Sequence, residues 1–126
     1  MRALVLALTL APYLILAVKD GAFHMGKKRL RDVSLAEHLI HFVIVAPLAW
    51  AISGVFNEDA LACSVGLLGF IAPALADELI WHRKIPERET NIHAKEHLAL
   101  LVFFIVGAVT WLDDAGVARL PWRLHA

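Results

Sequence analysis

Four apolar stretches dominate the chain: residues 3–18, 42–56, 60–76 and 98–112. Each is slightly short of the roughly 20 residues that a helix needs to cross a bilayer. Each becomes long enough once the polar residues at one of its ends are counted into the helix. None carries a regular polar stripe, and a helix apolar all round belongs in lipid or in a large core. A chain of 126 residues cannot supply such a core. Its 60% hydrophobic content exceeds the roughly 45–50% of soluble domains. These features imply an all-α integral membrane four-helix bundle, with residues 1–126 forming a single transmembrane domain.

Other classes are excluded quickly. The formal net charge is zero, so a nucleic-acid partner has no electrostatic support. The single Cys63 allows no intrachain disulfide and no cysteine-based zinc or iron–sulfur site. Arg2 before an apolar run also fits a secretory signal. No small-x-small cleavage site precedes Lys19, which favours an uncleaved first helix.

Topology follows from the basic residues. Lys19, Lys27, Lys28, Arg29 and Arg31 lie between the first two stretches, and Arg83, Lys84, Arg88 and Lys95 between the last two. The middle connection is Asn57-Glu58-Asp59, and the ends carry only Arg2, Arg119 and Arg123. The positive-inside bias puts both long loops in the cytoplasm and both termini outside, as in a multi-pass protein of the cell inner (cytoplasmic) membrane. Ser34 and Glu37 have capping-box spacing for the second helix. Asn57 is the expected N-cap of the third, with Glu58 and Asp59 in its first turn, and Thr90 or Asn91 that of the fourth. Pro12, Pro47 and Pro73 fall within spans, where kinks are tolerated. Ala62, Gly66 and Gly69 offer a small surface for close packing.

Against this background the acidic and imidazole side chains are not scattered. They recur as pairs four residues apart at one end of every apolar stretch: Asp20 and His24, Glu37 and His41, Glu78 and His82, His93 and His97. Residues four apart share a helix face. Four helices can therefore each present two ligands to one point, as bundles that hold a pair of metal ions do. Clustered carboxylates would otherwise repel one another or take up protons. Two divalent ions balance four of them, Asp20, Glu37, Glu78 and Glu96, while the histidines supply neutral donors. Mixed nitrogen and carboxylate donors suit iron, zinc or manganese rather than magnesium or calcium. His38 and Glu96 lie beside the pairs as extra ligands or as groups that orient an imidazole. Asp77, about 100° from Glu78 on the helical wheel, is expected to face a neighbouring helix or a loop lysine, and its ordinary explanation is a salt bridge with Lys or Arg at the headgroup level.

His93-Ala94-Lys95-Glu96-His97 has the H-x-x-E-H spacing of inverzincin metalloproteases. His93-x-x-x-His97 also resembles the first histidine box of membrane fatty-acid hydroxylases and desaturases. The chain has no H-x-x-H-H box, and its spacing is E-x-x-x-H where ferritin-like di-iron proteins use E-x-x-H. The likeness is therefore one of ligand logic, without family membership.

The expected function is a two-metal centre, iron favoured over zinc or manganese, in an oxidoreductase acting on a lipid, quinone or other membrane-soluble substrate. Glu96 is the candidate bridging ligand or proton carrier, and so the candidate catalytic residue. The alternatives are a zinc-dependent membrane hydrolase with Glu96 as general base, or a metal-binding or sensing protein without catalysis. Transport is disfavoured, because the span interiors offer only Thr9, Ser53, Ser64 and Thr110. The bilayer is the one certain partner of such a chain, and its oligomeric state is left open.

Overall fold

The computed structural model describes residues 1–24, 34–81 and 86–114. It contains four helices: α1 (Arg2–His24), α2 (Leu35–Asn57), α3 (Ala60–Ile80) and α4 (Glu87–Asp114). No strand occurs among the described residues. All four helices are long and apolar enough to cross a membrane, and at most 22% of any span is buried. Their outward faces carry Leu14, Ile15, Phe42, Val45, Leu68 and Ile105, among other exposed large apolar residues. Such a surface suits lipid far better than water. The two long connections lie largely outside the described residues.

Polar residues at the stretch ends are helical, as the length argument required. Asp20 and Gly21 do not turn the chain, and α1 continues to His24. Ser34 caps α2, its Oγ accepting from the Glu37 amide at 3.1 Å. Two cap expectations are corrected. Asn57 is the last residue of α2 rather than the cap of α3, its side-chain amide donating to the Ser53 carbonyl. Glu58 then takes the left-handed conformation (φ 59°), and Asp59 caps α3 by accepting from the Ala62 amide at 2.9 Å. The α3 cap thus lies two residues later than a cap at Asn57. Likewise α4 starts at Glu87, placing Thr90 and Asn91 inside the helix. The Pro86 carbonyl accepts from the Glu89 and Thr90 amides, so the helix begins as soon as proline permits.

The helices associate as two pairs, α2 with α3 and α1 with α4. In the first pair a Cβ added to Gly66 would stand 2.5 Å from the Ala51 amide nitrogen and 2.7 Å from the Pro47 carbonyl oxygen. Only glycine permits that approach. The two pairs touch where Gly107 of α4 meets Val55 of α2. Beside that contact lies the apolar core of Leu6, Val55 and Phe103, with Phe56 and Phe104 packed around Phe103. Arg2 closes the same end by pairing with Glu58 and donating to the Val55 carbonyl at 2.9 Å. The core is thus concentrated toward one end, and the opposite end is where the polar pairs meet.

Gly66→Val should cost about 1–3 kcal/mol or more, because the added carbons meet backbone that cannot rotate away. Gly69→Ala, which would meet only the Pro47 side chain at 3.1 Å, should stay within about 1 kcal/mol of the parent. Thermal unfolding of both variants in one detergent tests the ranking, and equal melting temperatures would disprove the close approach.

Candidate metal centre

Helix direction alone brings the polar residues together. The C-terminal turns of α1 and α3 and the N-terminal half-spans of α2 and α4 share one end of the bundle. From α1 comes Asp20, from α2 Glu37 and His41, from α3 Asp77 and Glu78, and from α4 His93, Glu96 and His97. They form three triads in which the donor atoms all lie within 4.8 Å of one another: Glu78/His93/His97, Asp20/His93/Glu96 and Glu37/His41/Asp77.

His93 is the hub. Its Nε2 stands 3.1 Å from Asp20 Oδ1, and its Nδ1 is 3.7 Å from Glu78 Oε1. One imidazole thus spans from α1 to α3. His97, one turn further along α4, brings its Nε2 to 3.8 Å from the same Glu78 oxygen. The first two triads therefore merge into one group of five residues around His93. The third lies between α2 and α3, where His41 Nε2 donates to Asp77 Oδ2 at 3.2 Å. Glu37, fully buried, completes it.

A cavity of about 90 Å³ joins the two groups, lined by Asp20, His41, Asp77, Glu78, His93, Glu96 and His97. Tyr13, Ile44, Phe70, Ala74 and Leu100 form its apolar remainder. Every helix contributes to the wall. Elsewhere in the spans the polar groups serve the backbone: the Thr9 and Thr110 hydroxyls donate to carbonyls of their own helices.

Six of the eight ligands expected from spacing fall in the two groups: Asp20, Glu37, His41, Glu78, His93 and His97. Glu96 joins them. His82 and the His24 side chain lie outside the described residues. His38 does not join a triad; its Nδ1 donates to the Ser34 carbonyl at 3.0 Å, although it borders the groove between α1 and α2. Asp77 faces a neighbouring helix, one of the two placements expected for it, and meets His41 there. It is buried against α2 and belongs to the cluster.

Two further residues escaped the spacing analysis. Glu89 is fully buried in the first turn of α4, four residues before His93. It therefore forms a fifth pair under the same i, i+4 rule. Tyr13 lies seven residues before Asp20, nearly eclipsed on the wheel, and lines the cavity. Both signals were present in the sequence: an acid–histidine pair beginning just after Pro86, and the chain's only tyrosine two turns from a ligand.

No protein-family model, no curated protein and no solved structure matches this chain. The chemistry of the cluster has to be read from its own residues.

In chelator-treated protein, a double-mutant cycle of His41→Ala and Asp77→Ala should give a coupling of about 0.5–3 kcal/mol, the range for residues in direct contact. Additive effects on unfolding would separate the two side chains and dissolve the third triad.

Proposed function

We propose that the two groups hold two transition-metal ions, iron favoured, and that the protein is a membrane oxidoreductase acting on a membrane-soluble substrate. The observation that carries this reading is the Glu78/His93/His97 triad. Two histidines and one carboxylate with open positions is the facial set used by non-haem iron(II) in oxygen chemistry.

Donor spacing supports it. Metal–ligand bonds of about 2.1 Å put neighbouring donors about 3.0 Å apart in octahedral and about 3.4 Å apart in tetrahedral geometry. Within the Glu78/His93/His97 triad the Glu78 oxygen stands 3.7 Å from His93 Nδ1 and 3.8 Å from His97 Nε2, so a shift of a few tenths of an ångström suffices. Charge supports it too. Asp20, Glu37, Asp77, Glu78 and Glu96 gather five carboxylates within two adjoining groups. Collecting anions away from water is costly without opposite charge, and two divalent ions offset most of it.

In this assignment Glu78, His93 and His97 hold one ion, and Glu37, His41 and Asp77 the other, while Asp20 meets the opposite nitrogen of His93 and orients the imidazole. Glu96, beside Asp20 and His93, is a bridging ligand or proton carrier. The bound iron would supply electron transfer to oxygen. The chain supplies placement, a small cavity walled by all four helices and a proton site at the Glu96 carboxylate. The positive-inside bias of the basic loop residues supports an orientation with this end of the bundle cytoplasmic and both termini outside. A single zinc ion in the five-residue group, with Glu96 as general base, is the competing reading.

Elemental analysis of the detergent-purified chain distinguishes the two. About two irons per chain are expected, with visible absorption. One zinc would shift the reading to hydrolysis, and no metal after chelator-free purification would overturn it. His93→Ala, which removes the residue common to two triads, should empty the five-residue group. His41→Ala should leave about one ion per chain.

A further inference from the structure

We propose that the groove between α3 and α4 binds the tail of a single-chain amphiphile whose small oxygen-bearing head reaches Glu78 and His97. This deepens the oxidoreductase reading by naming a substrate class, and it rests on that reading for the chemistry at the head.

Size is the first argument. The cavity of about 90 Å³ matches the share of about three water molecules, enough for ions and their solvent. Organic ligands occupy sites of about 300–1,000 Å³, so a substrate must leave most of its body outside. Two apolar grooves adjoin the cavity, one of about 350 Å³ between α3 and α4 and one of about 300 Å³ between α1 and α2.

Exposure of the donors favours the first. Phe70, Ala74, Glu78, His97 and Leu100 line both the cavity and the α3–α4 groove, and Tyr13, Asp20, His41, Ile44 and Glu96 line both the cavity and the α1–α2 groove, so the cavity adjoins each. The side chains of Glu78 and His97 are 38% and 52% exposed, whereas those of Asp20 and His41, at the α1–α2 groove, are 13% and 29% exposed. The open side of the candidate metal group therefore faces α3–α4.

Shape defines the occupant. From Glu78 the groove runs along α3 to Leu67, about 16 Å at the helical rise. That is about half the ~30 Å hydrocarbon thickness, the depth of one leaflet. Its wall beyond Glu78 and His97 is wholly apolar: Leu67, Ile71, Leu75, Leu101 and Phe104. One polar end and one leaflet's depth of apolar wall fit a fatty alcohol, aldehyde or acid lying in the leaflet in its ordinary orientation.

The test uses the full chain in nanodiscs with a 16-carbon alcohol carrying a diazirine near its methyl end, and the matching alkane without the hydroxyl. After irradiation, labelled residues are mapped by peptide mass spectrometry. The alcohol should label Leu67, Ile71 and Phe104 at least fivefold more than the alkane does. Leu75→Trp, or Leu101→Trp if the former fails to fold, both in the groove and outside the cavity wall, should reduce that labelling about tenfold with metal content unchanged. Ala17→Trp, in the α1–α2 groove, should leave it intact. Equal labelling by alcohol and alkane would reduce the groove to ordinary lipid solvation, and loss in Ala17→Trp alone would move the passage to α1–α2; either overturns the proposal. Metal counted in the same samples keeps the two readings apart. Alcohol-selective labelling of a metal-free chain would overturn the metal centre and leave the groove, whereas bound metal without selective labelling would overturn the groove alone.

Discussion

A carboxylate or imidazole carried on an apolar helix has few places to go, and this bundle depends on that constraint. Away from water such groups are costly unless they meet partners of suitable charge or hydrogen-bonding capacity. Asp20, Asp77, Glu78, His41 and His93 meet one another across helices. Each such contact also fixes how far a helix is turned about its own axis, because rotating any of the four would aim its acid or imidazole at lipid. Apolar packing alone would specify that rotation weakly in a medium as apolar as the side chains themselves. The cluster therefore orients the helices as well as furnishing donors.

The two ends of the molecule divide the work. At one end Leu6, Val55 and Phe103 pack together, Gly107 lets α4 reach Val55, and Arg2 binds the α2–α3 turn. At the other the space between the pairs is lined by side chains that repel close apolar packing, and a cavity results. Gly66 holds α3 against α2, and α3 is thereby placed to offer Asp77 to α2 and Glu78 to α4. Adjacent residues about 100° apart on a helix can serve two different neighbours, which is how one segment of α3 contributes to both groups.

Much of this was legible in the sequence, because helical periodicity is a local property. The pairs Glu37/His41 and His93/His97 announced their shared faces, and chain direction then put all of them at one end. What failed was information of another kind. Asp77 had two placements open, a neighbouring helix or a loop lysine, and no single-helix wheel reveals that α2 is the neighbour it meets. Asn57 is a good cap by type, yet packing across the α2–α3 turn lets α2 run one residue further and hands the cap to Asp59. Glu89 obeyed the same spacing rule as its neighbours and was passed over because it lies before the apolar stretch, beside a proline that marks a boundary. His38 satisfied proximity in sequence but bonds to the Ser34 carbonyl at the start of its own helix.

The contact of Gly107 with Val55 lies 14 residues along α4 from His93, about 21 Å at the helical rise. It acts as a pivot with a long lever arm. A tilt of about 5° between the two helix pairs there displaces the donors at the far end by about 2 Å, as much as a whole metal–ligand bond. The separation of the α1 and α4 donors from those of α2 and α3 thus depends on methyl groups that never approach them, and the volume of residue 55 is a geometric control on the polar cluster at the opposite end of the bundle.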